Sequence, residues 1–418
     1  MRQQLAKLLQ SGAPDLIFAT GVAGGAGYLL TLVAGVQLGP AHYIAFGVLW
    51  SSLFLAVGTL NGVQQEVARA TRQASNGSGG RAVRDVVLGI ATVAFLVTLG
   101  TYPWWGHLIF ASASPWLALP LAVGLVGHTV ATSLIGMLHG LRQTRLIAGV
   151  TSLDALLRFA LVVVILSATR DLAAIAWALV LPYAVTPVLL WCLARKRLAH
   201  ALVDVNRRAL LRNAGSTILA AAASGAMISG ISLLIAAAGR DAPPAHVGAV
   251  IFAVNITRAP LIIVVAALQN YVVVRLRDRV DWLRLLLRIV ASVVIGTLAF
   301  TALIRLVGEQ LFALLLRGEH VDPALLALIT GSGGLVALMC LTGAAIIARG
   351  RHVANTAGWL VAAVATAVTL FALPGFDAAV STALLVGPVA GLLVHAAAIT
   401  FDRHPPVELS LEPVAAEF

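Results

Sequence analysis

Charge is what this sequence has least of. Asp, Glu, Lys and Arg together make up 11% of the chain, against 60% hydrophobic residues. A soluble domain carries about 25% charged residues. So little charge cannot cover a water-facing surface, which excludes a soluble enzyme or binding module. Lysine is almost missing, with Lys7 and Lys196 alone. A phosphate-gripping loop of the GxxxxGK[ST] type needs a lysine after its last glycine, and neither lysine has that context. Cysteine is scarce too. Cys192 and Cys340 lie in apolar blocks without metal or redox spacing and read as small hydrophobes. No HExxH, CxxC or glycine-rich nucleotide motif occurs, and no Ser/His/Asp constellation is fixed by spacing. The expectation is a protein with no metal, no cofactor and no catalytic residues.

What fills the sequence is long apolar blocks of about 20 residues, the length that spans a bilayer as a helix. They fall at roughly 14–37, 40–64, 86–110, 115–138, 146–169, 171–194, 215–238, 245–270, 288–312, 323–348, 353–373 and 378–400. This predicts an all-α integral membrane protein of about twelve transmembrane helices. Arg2 and Lys7 before the first block imitate a signal peptide. That block is too long for an h-region, so it reads as an uncleaved first span.

The net charge of +11 comes from basic residues in short loops between apolar blocks. They form no continuous patch, which argues against a nucleic-acid partner. Their sidedness sets the topology. Most of the 28 Lys and Arg residues fall in one set of loops, including Arg2, Lys7, Arg69, Arg279 and Arg403; the opposite loops hold Arg170, Arg240 and Arg317. The positive-inside rule then places both termini in the cytoplasm. A basic connector over residues 195–214 separates a six-helix lobe over 1–194 from a second over 215–402, with a short tail at 403–418. The connector is expected to lie as a solvated linker on anionic headgroups.

The halves look related. Pro40-Ala41-His42 opens the second span and Pro244-Ala245-His246 the eighth, and Gln65 and Gln269 follow at the same offset. Leu138-His139-Gly140-Leu141-Arg142 closes the fourth span and Ala348-Arg349-Gly350-Arg351 the tenth. A parallel two-fold repeat fits this spacing. Glycines four apart, such as Gly21/Gly25 and Gly58/Gly62, are expected to let helices pack closely.

Ionisable residues at mid-membrane are costly and are functional candidates by default. Asp154 and Arg158 stand four apart in the fifth span and can neutralise one another; Arg305 and Glu309 repeat that spacing in the ninth. Arg258 has no acid among its helical neighbours, which include Asn255. Its partner must be a substrate, water in a cavity, or another helix, with Asp154 as one candidate. His128, midway along the fourth span, either couples proton movement or hydrogen-bonds across helices. Glu66 and Arg69, at the cytoplasmic end of the second span, either gate or snorkel. Asp15 reads as an N-terminal helix cap.

Two halves of six spans, cytoplasmic termini and a basic mid-chain connector resemble the MOP superfamily of multidrug, oligosaccharidyl-lipid and polysaccharide exporters. Leu138 to Arg145 followed by Leu153-Asp154-Ala155-Leu156-Leu157-Arg158 is similar to the fourth-to-fifth helix signature of its polysaccharide branch, and Thr257-Arg258-Ala259-Pro260 resembles that branch's eighth helix. The resemblance implies a V-shaped pair of lobes around a cationic cavity. It also implies flipping of a polyprenyl-(di)phosphate-linked sugar across a bacterial cytoplasmic membrane for cell-envelope polysaccharide synthesis, by alternating access. Glycosyltransferases or a polymerase of the same pathway are the implied protein partners. Lipid II flippases carry further helices, and drug exporters rely on membrane carboxylates; both contrasts favour the lipid-linked oligosaccharide branch. A cation-coupled drug or metabolite exporter and a non-transporting scaffold are the alternatives. The substrate-binding candidates are Arg258, Arg158, Asp154, Asn255 and Arg305; the gating or coupling candidates are Glu66, Arg69, His128 and Asp15.

Overall fold

A computed structural model describes residues 13–73, 80–109, 115–199, 201–203, 206–277, 281–316 and 320–401. Arg2, Lys7, Arg279, Arg317, Arg403 and the 403–418 tail lie outside the described residues. The first half contains α1 (Ala13–Leu38), α2 (Pro40–Ala70), α3 (Gly80–Ile109), α4 (Ala118–Gly140), α5 (Thr144–Ala168) and α6 (Leu172–Leu198). The second contains α7 (Arg207–Ile228), α8 (Ile231–Ala238), α9 (Pro244–Arg277), α10 (Trp282–Leu315), α11 (Pro323–Ala348), α12 (His352–Ala372) and α13 (Phe376–Thr400). Among the described residues eleven helices are long and apolar enough to cross a membrane, or up to twelve if α7 and α8, bent by 56° at their break, count as one span. The expected unbroken span at 215–238 is thus two helices, parted at Ser229-Gly230.

The connector also departs from expectation. Instead of a linker over 195–214, α6 continues to Leu198 and α7 starts at Arg207. Between them, β2 (Ala201–Val203) pairs antiparallel with β1 (Thr71–Gln73), which continues from α2. Asn206 caps α7 by accepting from the Ala209 amide at 2.9 Å. The arginine-rich end of the bundle is therefore strapped by a small ribbon.

The repeat is visible in backbone detail. After α4, Arg142 takes a left-handed conformation (φ 57°) and the Gln143 amide donates to the Leu138 carbonyl at 2.9 Å. After α11, Gly350 does the same (φ 75°) and the Arg351 amide donates to the Ile346 carbonyl at 3.1 Å. Both are six-to-one helix-ending turns. Arg142 bears the strain that glycine avoids at the equivalent position.

The lobes meet where α2 lies against α7 and α9. At the arginine-rich end, a Cβ on Gly62 would fall 2.5 Å from the Ile218 amide nitrogen, so only glycine allows this backbone approach. At the other end, the same holds for Gly248 against the Pro40 carbonyl. There Tyr43 packs edge-on to Phe252, ring centroids 5.2 Å apart. Not every glycine pair packs as expected: Gly21, Gly25 and Gly58 have nothing within 4 Å of a built Cβ. α1 leans on α5 and α9 and stands away from much of α2. The gap it leaves holds the cavities.

Candidate functional site

Two neighbouring cavities lie between the helices. The larger, about 470 Å³, lies within the first half between α1, α2, α4, α5 and α6. The smaller, about 240 Å³, lies between the halves, lined by α1, α2, α9 and the α7–α8 break. They share Ala23, Gly27, Trp50 and Phe54 as a common wall. The first, second, seventh and eighth spans thus enclose the smaller cavity, and the larger one has exposed Thr20 in its lining.

The larger cavity contains the Asp154–Arg158 pair. Arg158 Nη2 donates to Asp154 Oδ2 at 2.5 Å and Nη1 to the Tyr183 hydroxyl at 2.5 Å. The guanidinium also sits 3.9 Å from the Tyr183 ring centroid. Thr186 donates to the second Asp154 oxygen at 2.7 Å. Both carboxylate oxygens are thus engaged, and Asp154 belongs to Arg158, so the alternative pairing with Arg258 does not occur. His128 is buried, with Nε2 3.3 Å from Asn61 Oδ1 and its ring edge-on to Tyr183 at 4.9 Å.

The smaller cavity contains Arg258, 2% exposed. Its stem lies against α11, where a Cβ on Gly333 would come within 3.0 Å of the Arg258 Cγ. Nη2 donates to the Met227 carbonyl at 3.4 Å, while Nε and Nη1 have no partner among the described residues. The α7–α8 break explains the one bond. Where the helix ends, its last carbonyls lose their own donors and carry the negative end of the dipole. Ser51 takes the neighbouring Ser229 carbonyl in the same way. Asn255 bridges the two halves, donating to the Tyr43 hydroxyl at 3.1 Å and accepting from Ser232 at 3.0 Å.

Glu66 and Arg69 lie away from the cavity linings, at the arginine-rich end. Arg69 grips the buried Glu66 carboxylate with two hydrogen bonds of 2.8 and 2.6 Å, and Asn213 of α7 donates to it at 3.0 Å. Thr217 adds a 2.8 Å bond to the Gly62 carbonyl, and Arg207 pairs with Asp85 of α3. These contacts tie the two halves together.

Two expectations need correction. Arg305 is exposed and lines neither cavity, and it makes no pair with Glu309, which instead stands 3.7 Å from His320. α10 carries Arg305 on a helix that packs on α11 and leaves most of its surface outside. Asp15 is not a cap. It lies in the first turn of α1, 3.7 Å from Arg145.

The sequence reading missed Tyr183, Thr186, Trp50, Phe54 and the Met227 carbonyl. Pro182 and Pro187 flank the first two and could have marked that stretch of α6. The Ser229-Gly230 step could have marked the break. Trp50 and Phe54 looked like any apolar residues of a span.

The fold is that of MATE-type transporters of the MOP superfamily, with two lobes in a V. An inward-facing multidrug resistance MATE family transporter of the MOP superfamily superposes with a TM-score of 0.66 at 17% identity, covering 90% of this chain and 94% of that one. The eukaryotic MATE transporter AtDTX14 gives 0.65 at 13% identity over 96% of both chains. A MOP superfamily transporter from Pyrococcus furiosus, whose reverse polarity of binding pocket suggests a different function, gives 0.62 at 16% identity over 93% of this chain and 95% of that one. No protein-family model matches the sequence. Uncharacterized protein Mb3654 of Mycobacterium bovis is 30% identical over 91% of this chain and 90% of its own length. Uncharacterized protein Rv1510 of Mycobacterium tuberculosis is also 30% identical, with the same coverage. The chain belongs to the family of these mycobacterial proteins.

Proposed function

We propose that this chain is a flippase that carries a polyprenyl-(di)phosphate-linked saccharide across the bacterial cytoplasmic membrane by alternating access. Both termini face the cytoplasm in this reading, as the arginine sidedness requires. One observation carries the proposal: Arg258 is buried in the cleft between the lobes with two of its three guanidinium nitrogens unpartnered among the described residues. A buried charge of this kind is costly unless something pairs with it. A phosphate would accept bidentate bonds from the planar guanidinium, which lysine cannot reproduce.

The multidrug-exporter reading has Asp154 in its favour, since a cationic drug or coupling ion needs a membrane carboxylate. Both oxygens of that carboxylate are already bonded, to Arg158 and Thr186. A scaffold would have a filled core, against which the two cavities speak.

The test is flipping of a fluorescently labelled undecaprenyl-diphosphate-linked sugar in proteoliposomes. Arg258→Ala lowers the rate by at least ~tenfold, about 1.4 kcal/mol, while the variant still inserts and folds. Arg258→Lys is impaired too. A wild-type rate in Arg258→Ala overturns the phosphate reading.

A further inference from the structure

We infer that the larger cavity is a binding site for the uncharged saccharide, with Trp50 as its stacking platform, and that Arg258 holds the phosphate next door. This rests on the lipid-linked saccharide reading and divides the ligand between two chambers.

The geometry comes from α2. Phe46, Trp50 and Phe54 stand four apart and so share one helix face. Trp50 and Phe54 have ring centroids 4.1 Å apart, and Phe46 stacks behind Trp50 at 6.0 Å. Trp50 and Phe54 border both cavities, so a ligand that touches Arg258 has this aromatic wall beside it. Gly27 of α1 lies beside the edge of the Trp50 ring, where a built Cβ would be in van der Waals contact at 3.6 Å, so α1 closes this side of the wall.

The chemistry of the lining selects the ligand class. Beyond the aromatic wall come Asn61, Gln64, His128, Thr132 and Thr151. The ionic groups there, Asp154 and Arg158, cancel at 2.5 Å. The chamber therefore offers neutral donors and acceptors in mixed order and no net charge. A cation would find no free carboxylate. A prenyl chain would cover the Gln64 carboxamide, the Asn61 amide nitrogen and the Thr151 hydroxyl without giving them partners, which is costly. A sugar ring matches both features: its hydroxyls are donors and acceptors, and its C–H face is apolar enough to stack on indole. A volume of about 470 Å³ lies within the size range of small-ligand pockets.

The experiment uses the full chain in lipid nanodiscs and measures Kd for undecaprenyl phosphate, and for undecaprenyl phosphate carrying glucose, galactose, mannose or rhamnose. At least one sugar-bearing lipid binds ~tenfold tighter than the bare one. Asn61→Ala and Thr151→Ala, at positions that line the larger cavity and not the smaller, remove that increment and leave undecaprenyl phosphate binding within about twofold. Trp50→Ala removes it too, and Trp50→Phe keeps part of it, which guards against a folding defect in Trp50→Ala. The saccharide site is overturned if no sugar-bearing lipid outbinds undecaprenyl phosphate, or if Asn61→Ala and Thr151→Ala weaken all lipids alike. Arg258→Ala weakens bare and sugar-bearing lipids by the same factor. If it weakens neither while the sugar increment persists, the phosphate assignment fails and the saccharide site stands.

Discussion

Arg158 and Arg258 are both buried, each in the lining of one of two neighbouring cavities, yet their surroundings are opposite. Arg158 has a carboxylate, a phenol hydroxyl and two aromatic faces around its guanidinium. Arg258 has one long bond to a carbonyl at a helix break. Identical residues at similar depth thus separate into a group whose charge is compensated by the fold and a group whose charge is not. The fold spends α5 and α6 on the first and leaves the second facing the cleft between the lobes. Compensation, more than burial, marks the candidate ligand contact.

The sharpest way to break this contrast is to turn Arg158 into a second Arg258. Asp154→Ala removes its carboxylate and leaves the guanidinium buried. Breaking a buried pair from one side costs about 3–5 kcal/mol; here the cavity beside it softens that to the lower end, about 3 kcal/mol. Thermal unfolding in detergent measures the loss. The double variant Asp154→Leu/Arg158→Met, which removes both charges, recovers most of it. If Asp154→Ala is as stable as the parent, Arg158 is not compensated by this pair and the comparison collapses.

Next comes the tie between the lobes. Glu66 is buried and held by Arg69 and Asn213. Asn213→Ala removes the inter-lobe bond and leaves Glu66 with Arg69, so the stability cost is about 1 kcal/mol. Its larger effect is on the balance of conformations. A cysteine placed at Ala214, buried on α7 beside the tie, becomes more reactive to a water-soluble maleimide in the Asn213→Ala background. Unchanged reactivity would mean that the close helix packing and the remaining Thr217 and Arg207 contacts shut this end without Asn213.

How much of this was legible in the sequence follows from the range of each interaction. Helix number and spacing rest on local hydropathy, and eleven spans came out where the apolar blocks lie. The repeat was partly readable because helix-ending turns are local: both turns fall in the matched segments, but the structure pairs Arg142, and not Gly140, with Gly350. The Asp154–Arg158 pair was readable because it lies within one helical turn. What stayed hidden crosses between helices. Tyr183 and Thr186 join Asp154 and Arg158 from α6, and the Arg258 contact comes from α7. The same spacing rule failed at Arg305 and Glu309, because an exposed pair gains too little to hold two long side chains together. The break at Ser229-Gly230 was hidden as well, since hydropathy measures length and not direction.

The stability of Arg258 variants sharpens the contrast from the other side. Arg258→Met keeps the stem packed on Gly333 and removes the uncompensated charge. Stability holds or rises by up to about 1 kcal/mol, while binding of undecaprenyl phosphate falls. A loss above about 2 kcal/mol would show that the helix-break carbonyls already satisfy the guanidinium.

The smallest effect belongs to the ion pair between Asp15 and Arg145, next in sequence to Leu16 and near Ile147, which line the larger cavity. It has the same charges as Asp154–Arg158 and joins α1 to α5, so it tests whether charge pairing alone predicts importance. The atoms stand 3.7 Å apart, and the side chains are 42% and 94% exposed. Water screens both groups, and ordering two side chains costs entropy, so such pairs contribute about 0–1 kcal/mol. Arg145→Ala should leave the unfolding midpoint within measurement error and the flipping rate within about twofold, less than 0.5 kcal/mol. Raising the salt concentration should change the parent and this variant alike. A clear loss of transport without loss of stability would instead give Arg145 a role at the entrance, where a basic residue can meet an anionic headgroup before Arg258 does.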